Sequence, residues 1–379
     1  MKPLLLLLLL AQTADPAAQL ESARAALAQR PKHPRLQYQL AVALAKNGAG
    51  DEALAALERL ASWGFIYKPE AATFGASPRF DAIVARFADN AKPIGEPQPA
   101  FTLDQQGIIA EGLAYDPKRA RFFVGGVHAR NVFAVDRDGH ASTFATLDRG
   151  AFGMAVDAKR GVLWVATSLV AEKDAALVEL DLRNGRVLAT LQPEDKEKHL
   201  FGDVTLAADG EVFVSDGASP VIFHVDDDRL TPFARGPFLS LQGLAATNRY
   251  LYVSDYGKGL FAIDRKSRDV VLLPSPESAS LFGVDGIYLA GDHTLVAVQN
   301  GTNPTRVLRL ALAPNGLAIT GMRILAANHQ EMSDVTLGTF ARGAFHFIAN
   351  GGWEAWTDEG KRNENVPLES VRVMRVEPE

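Results

Sequence analysis

The chain has 379 residues, 47% hydrophobic and 22% charged, which suits one large globular domain beside a smaller one. A formal charge of −6 with no extended basic run argues against nucleic acid or an anionic membrane as the main partner. The absence of cysteine excludes disulfides, thiolate nucleophiles and Cys-ligated zinc.

At the N-terminus, "MKPLLLLLLLAQTA" places Lys2 before a short leucine run and then small residues at Ala11 and Ala14. That is the layout of a secretory signal peptide over residues 1–14, and it is too short to span a bilayer. Gln12 departs from the small residue preferred before cleavage at Ala14. Export, to a periplasm or the exterior, is the expectation, with no membrane span in the mature chain.

Residues 16–90 are rich in Ala and Leu at helical spacing. "AAQLESARAALAQRPKHP" reads as a helix stopped near Pro31, and the stretch after it reads as helix, Gly-containing turn, helix. Leu40, Ala41, Leu44, Ala53 and Leu57 fall where a tetratricopeptide repeat places its packing residues. One degenerate repeat cannot stand alone, so a hairpin packed on its neighbour is expected in preference to a peptide groove. A protein partner through this segment stays open. A last helix, "SPRFDAIVARFADN", leads to a proline-marked linker at 91–100.

Beyond residue 101 the pattern changes to short alternating strands. "FFVGG", "VLWVATS", "EVFVSDG", "YLYVSDYG", "TLVAVQNG" and "FHFIANGG" are six versions of one strand, each preceded and followed by another. The unit recurs about every 40–50 residues, the period of propeller blades. The fold class is therefore mainly β, a six-bladed β-propeller over residues 101–379 with a small N-terminal helical domain. The last blade runs out at its third strand, so "PAFTL" near Phe101 is expected to supply the fourth and close the ring.

In a propeller the first strand of each blade lines the central channel, and its start lies beside the end of the second strand. The residues so paired are Glu111 with the 125–128 turn, Phe152 with Thr167, and Asp203 with Asp216. The others are Gln242 with Asp255, Asp285 with Asn300, and Asp334 with Asn350. Converging carboxylates in a channel are costly without a counter-charge, and a hard divalent cation with oxygen ligands, calcium first, would offset that cost. Asp216 and Asp255, both in "VSD", are also expected to tie blades together through backbone N–H groups. Asp255, Asn300 and Asn350 are placed as candidate substrate contacts.

"AEGLAYDPKRARFFVGGVHARNVFAVD" and "GVDGIYLAGDHTLVAVQNG" resemble the first and a later blade of the regucalcin/gluconolactonase family. That resemblance implies metal ligation by Glu111 and Asp285, with Gln242 replacing the family's asparagine. It implies metal-assisted hydrolysis of a lactone or related small ester, so a small-molecule substrate. Asp203, Asp334 and His128 are the candidates for activating water. No G-x-S-x-G elbow or H-E-x-x-H helix is present. The competing class is a non-catalytic propeller that binds or scaffolds, with a helical interaction cap.

Overall fold

The computed structural model describes residues 15–357 and 359–378. The expected signal peptide lies outside the described residues. The chain divides into two compact units.

The helical unit contains α1 (Pro16–Gln29), α2 (Pro34–Lys46), α3 (Gly50–Ser62), the short α4 (Ala71–Phe74) and α5 (Pro78–Asn90). Three of these helices begin on proline, where the missing N–H costs nothing, and carry a side-chain cap one residue earlier. Ser77 accepts from Phe80 N at 3.1 Å and His33 Nδ1 from Leu36 N at 3.4 Å. Leu57, Trp63, Phe65, Phe80 and Phe87 fill the core. Segments 276–282 and 302–304 belong to the same unit. Trp63 Nε1 donates to Glu277 O, and Ser280 Oγ to Lys32 O.

The second unit is a six-bladed propeller of six four-stranded antiparallel sheets. Five sheets use consecutive strands. The sixth takes Gly338–Ala341, Ala344–Ile348 and Ser370–Val376, and its outer strand is Gln98–Gln106 from the other end of the unit. Phe101 pairs with Val373 and Leu103 with Val371, so the ring closes as expected and the strand Ser370–Val376 is paired on both sides.

The innermost strands are Ala110–Asp116, Gly150–Asp157, Phe201–Leu206, Leu241–Ala246, Val284–Leu289 and Gly338–Ala341, each packed against the inner strand of the next blade. The first five carry a bulge near their start. Registers on either side of the bulge fix equivalent positions. Ala110, Ala151, Phe201, Leu241 and Val284 precede it, and Leu113, Met154, Val204, Leu244 and Ile287 follow it. Between them lie two residues per blade: Glu111-Gly112, Phe152-Gly153, Gly202-Asp203, Gln242-Gly243 and Asp285-Gly286.

Candidate axial site

This register separates Asp203 from the residues with which its sequence aligns it. Glu111, Gln242 and Asp285 share the first bulge position, where blade 3 has Gly202; Asp203 takes the second, where the other four have glycine. The sequence around "FGDVTL" is one residue out of phase with "LQGLAA", and only strand pairing reveals it.

The axial residues are aimed by hydroxyls from the preceding blade. Ser215 Oγ donates to Gln242 O at 2.5 Å and Ser254 Oγ donates to Asp285 O, both from second strands, while Thr336, just before the sixth inner strand, brings its Oγ1 to both Ala110 O and Glu111 O. A bulge leaves backbone groups outside the ladder, and a short hydroxyl satisfies them without widening the channel.

Glu111 and Asp285 are 8% and 9% exposed, and Asp203 is 6% exposed. Each carboxylate has one dedicated donor system. Trp353 Nε1 donates to Glu111 Oε2 at 2.6 Å, and Asn300 Nδ2 donates to Asp285 Oδ2 at 2.7 Å. Asp203 accepts from Val204 N and, across to blade 4, from Leu244 N. Asp334 lies just before the sixth inner strand, bridged to Asn350, with its Oδ2 accepting from Trp353 N at 2.8 Å.

Burial dominates the electrostatics. It pushes the Glu111 carboxyl well above the usual carboxylate range, with Asp285 adding to the rise and the Trp353 N–H opposing it. Asp203 is pushed up to about 7 by burial, despite its two backbone donors. Asp285 rises to about 6, again by burial, and Asp334 rises for the same reason. Among the described residues no Lys, Arg or His lies within salt-bridge distance of any of the four.

Three oxygens remain uncommitted at the shared register position: Glu111 Oε1, Asp285 Oδ1 and Gln242 Oε1 make no hydrogen bond among the described residues. Gln242 is half-buried and spends its amide N–H on Ser240 Oγ. An all-oxygen donor set inside an uncompensated acidic channel has the chemistry that a hard divalent cation prefers.

The other candidates are placed differently. Asp255 is fully buried and accepts from Leu239 N, Ser240 N and Gly257 N, a tie between blade loops. Asp216 does the same for Leu200, Ala218 and Ser219 and also holds His199. Asn350 serves the sixth blade, accepting from Arg372 N and donating to Ser370 O. Asn300 is at the axis, between Asp285, Val335 O and the Tyr256 hydroxyl. His128 is exposed and stacked on Trp356 at 3.6 Å, with burial of its ring and Arg130 lowering its pKa. The compact carboxylate–histidine group Asp136, Asp138 and His140 is an exposed turn.

Two neighbours of the carboxylates were not assigned to them from the sequence, where Trp353 reads as walling a pocket or covering the last blade. Trp353 holds two axial carboxylates at once, one through its indole and one through its backbone. Tyr288, one of the large side chains along the inner strands, accepts from Gly338 N and is pushed well above the ordinary phenol range by burial and then by Asp203. Its place two residues after Gly286 is a signal that period-2 reading of the strand could have caught.

No protein-family profile and no curated protein matches the sequence. Solved structures do. A luciferin-regenerating enzyme aligns at 14% identity over 76% of this chain and 95% of its own, with a TM-score of 0.52. A gluconolactonase from Xanthomonas campestris aligns at 14% identity over 75% and 99%, with a TM-score of 0.53. A calcium-binding regucalcin from Agrobacterium tumefaciens aligns at 12% identity over 74% and 96%, also at 0.53. Gluconolactonase and regucalcin structures are thus among this chain's structural neighbours, and at these identities the likeness establishes a shared six-bladed propeller fold.

Proposed function

We propose that the propeller is a metal-dependent hydrolase of a lactone or related small ester and that the chain is exported. The observation carrying this reading is the set of three free oxygens on Glu111, Gln242 and Asp285, at one register position in an acidic channel without a cationic partner. The presence of a gluconolactonase and a calcium-binding regucalcin among the structural neighbours supports it. Glu111, Gln242 and Asp285 would hold a divalent ion, calcium first. Such an ion polarises an ester carbonyl and stabilises the oxyanion that develops.

The chain's own residues divide the remaining work. Asn300 and Trp353 fix the Asp285 and Glu111 carboxylates, so each presents its second oxygen inward. Asp334 is oriented by the backbone N–H groups of Trp353 and Gly352, and its pKa, raised by burial, lies closer to neutral pH, where a base that takes a proton from water works. Trp353 also packs near Phe152, 6.2 Å between rings, which limits water over the carboxylates.

A second reading is a non-catalytic propeller that binds a ligand, with the helical unit engaging a protein partner. It draws on Glu111 and Asp285 each being already hydrogen-bonded within the protein. Metal analysis and a lactone panel on wild type and Asp285→Ala separate the two. The hydrolase reading expects bound divalent metal and lactone turnover in wild type, both lost in the variant. Full activity and metal content in Asp285→Ala would remove the assigned role. N-terminal sequencing of secreted protein tests export, and a mature chain starting at Met1 refutes cleavage.

A further inference from the structure

Along the inner strands, past the second bulge position, the channel opens into a cavity of about 290 Å³. Its lining comes from the later parts of the inner strands, including Ala114, Ala155 and Thr205. Register makes these three equivalent to Ala245 and Tyr288. Four of five positions in this layer are small and one is tyrosine, and the small residues leave the space. Alternation puts Asp203 on the same face as Thr205, two residues earlier.

Asp203 and Tyr288 supply a carboxylate and a phenol to the lining, Thr205 and Thr339 add hydroxyls, and Met154, Leu244 and Leu337 are the apolar neighbours. Glycines make room for Asp203 and Tyr288. A Cβ at Gly153 would run into the Asp203 carboxylate, and one at Gly286 would meet the Tyr288 hydroxyl at 2.5 Å. A carboxylate more than nine-tenths buried, with no cation within salt-bridge distance, leaves a charge deficit that its two backbone donors offset only in part. The Tyr288 oxygen accepts from Gly338 N, and its own proton makes no hydrogen bond among the described residues.

We propose that this cavity is a second ligand site, for a small primary ammonium with a short apolar body. The ammonium supplies the missing positive charge to Asp203 and a donor to the Tyr288 oxygen, and the body fills the space above the small residues. Glu111 and Asp285 lie close enough to act on Asp203 or on one another electrostatically, so the channel's field favours a cation and opposes a carboxylate ligand. The volume sits at the lower end of ordinary ligand pockets, about 300 Å³, which restricts the ligand to a benzylammonium-sized molecule. This site goes beyond the hydrolase reading and does not depend on it.

Calorimetric titration of metal-free, full-length protein with benzylammonium and with benzyl alcohol tests the proposal. The ammonium should bind at least about tenfold more tightly than the alcohol, and Asp203→Asn should abolish that preference. Because Asp203 also braces two backbone amides, Ala155→Phe is the companion variant: it fills the cavity at a half-buried position and should weaken both ligands about tenfold or more. Equal affinity for the two ligands, or no binding by either, overturns the proposal. So does ammonium binding that survives Ala155→Phe in folded protein, since the charge would then be held at Glu111 and Asp285 or on the outer surface.

Discussion

Trp353 joins Glu111 to Asp334: its indole N–H donates to Glu111 Oε2 at 2.6 Å while its backbone N–H donates to Asp334 Oδ2 at 2.8 Å. One residue of the Gly351-Gly352-Trp353 turn therefore reports on two acids of the channel, and a charge entering beside Glu111 must change the indole's environment. Calcium or another divalent ion should shift or quench tryptophan emission, and Trp353→Phe should remove most of that signal while ion binding persists. An unchanged emission signal in the variant would place the reporter elsewhere, at Trp356 for example.

The serine hydroxyls that aim the ring make a separate prediction. Ser254 Oγ donates to Asp285 O and receives Gly243 N at 2.8 Å, so one buried hydroxyl holds the bulges of two blades. Ser254→Ala leaves an acceptor and a donor unsatisfied and should cost about 1–3 kcal/mol in denaturant unfolding. Divalent-ion affinity should fall as well, by about 10–100-fold, the usual effect of losing a group that orients a ligand. Normal affinity with reduced stability would limit Ser254 to a structural role.

The blade count and the borrowed outer strand were legible because strand alternation and turn residues repeat with the blade period. Glu111, Gln242 and Asp285 were picked out through the family resemblance, and strand pairing puts all three at one bulge position before a glycine. The register of Asp203 was hidden: the sequence pattern matches its carboxylate to theirs, whereas the hydrogen-bond ladder sets Gly202 there. A one-residue slip is invisible to composition and changes what the side chain faces. The loop "EDKEKH" reads as a solvated charge run, yet His199 at its end is buried between Asp195 and Asp216. Long-range partners of that kind leave no local periodicity. The bond from Trp353 was hidden similarly, because its partner Glu111 is 242 residues away.

Ring closure predicts a stability effect far from the axis. Leu103 is fully buried on the outer strand of the sixth blade and pairs with Val371. Leu103→Ala should cost about 2–5 kcal/mol, the range for truncating a buried leucine. The loss should appear in the main unfolding transition of the propeller, because the strand completes a blade and does not merely cover one. A loss below about 0.5 kcal/mol would show that the ring holds without this strand.

Two buried histidines should bend the pH–stability curve in opposite directions. Burial lowers the His346 pKa to about 4, and its ring lies 5.0 Å from Phe122 with Nδ1 on Ala344 O. The unfolded chain, with a histidine near 6.5, binds the extra proton first, so stability falls as pH drops from about 6.5 toward 4. For His199 burial acts to lower the pKa, but hydrogen bonds to Asp216 and Asp195 outweigh it and the net shift is upward. Its contribution is complete below about 6.5 and is lost as pH rises through the folded value. Urea midpoints across pH 4.5–8.5 should therefore show His346→Leu flattening the acid limb and His199→Gln flattening the neutral-to-alkaline limb. His33, also lowered to about 4 by burial, leaves a residual acid slope in the helical unit, so the His346 effect is read on the propeller's transition. An acid limb of that transition unchanged by His346→Leu would mean the imidazole is solvated well enough to protonate in place.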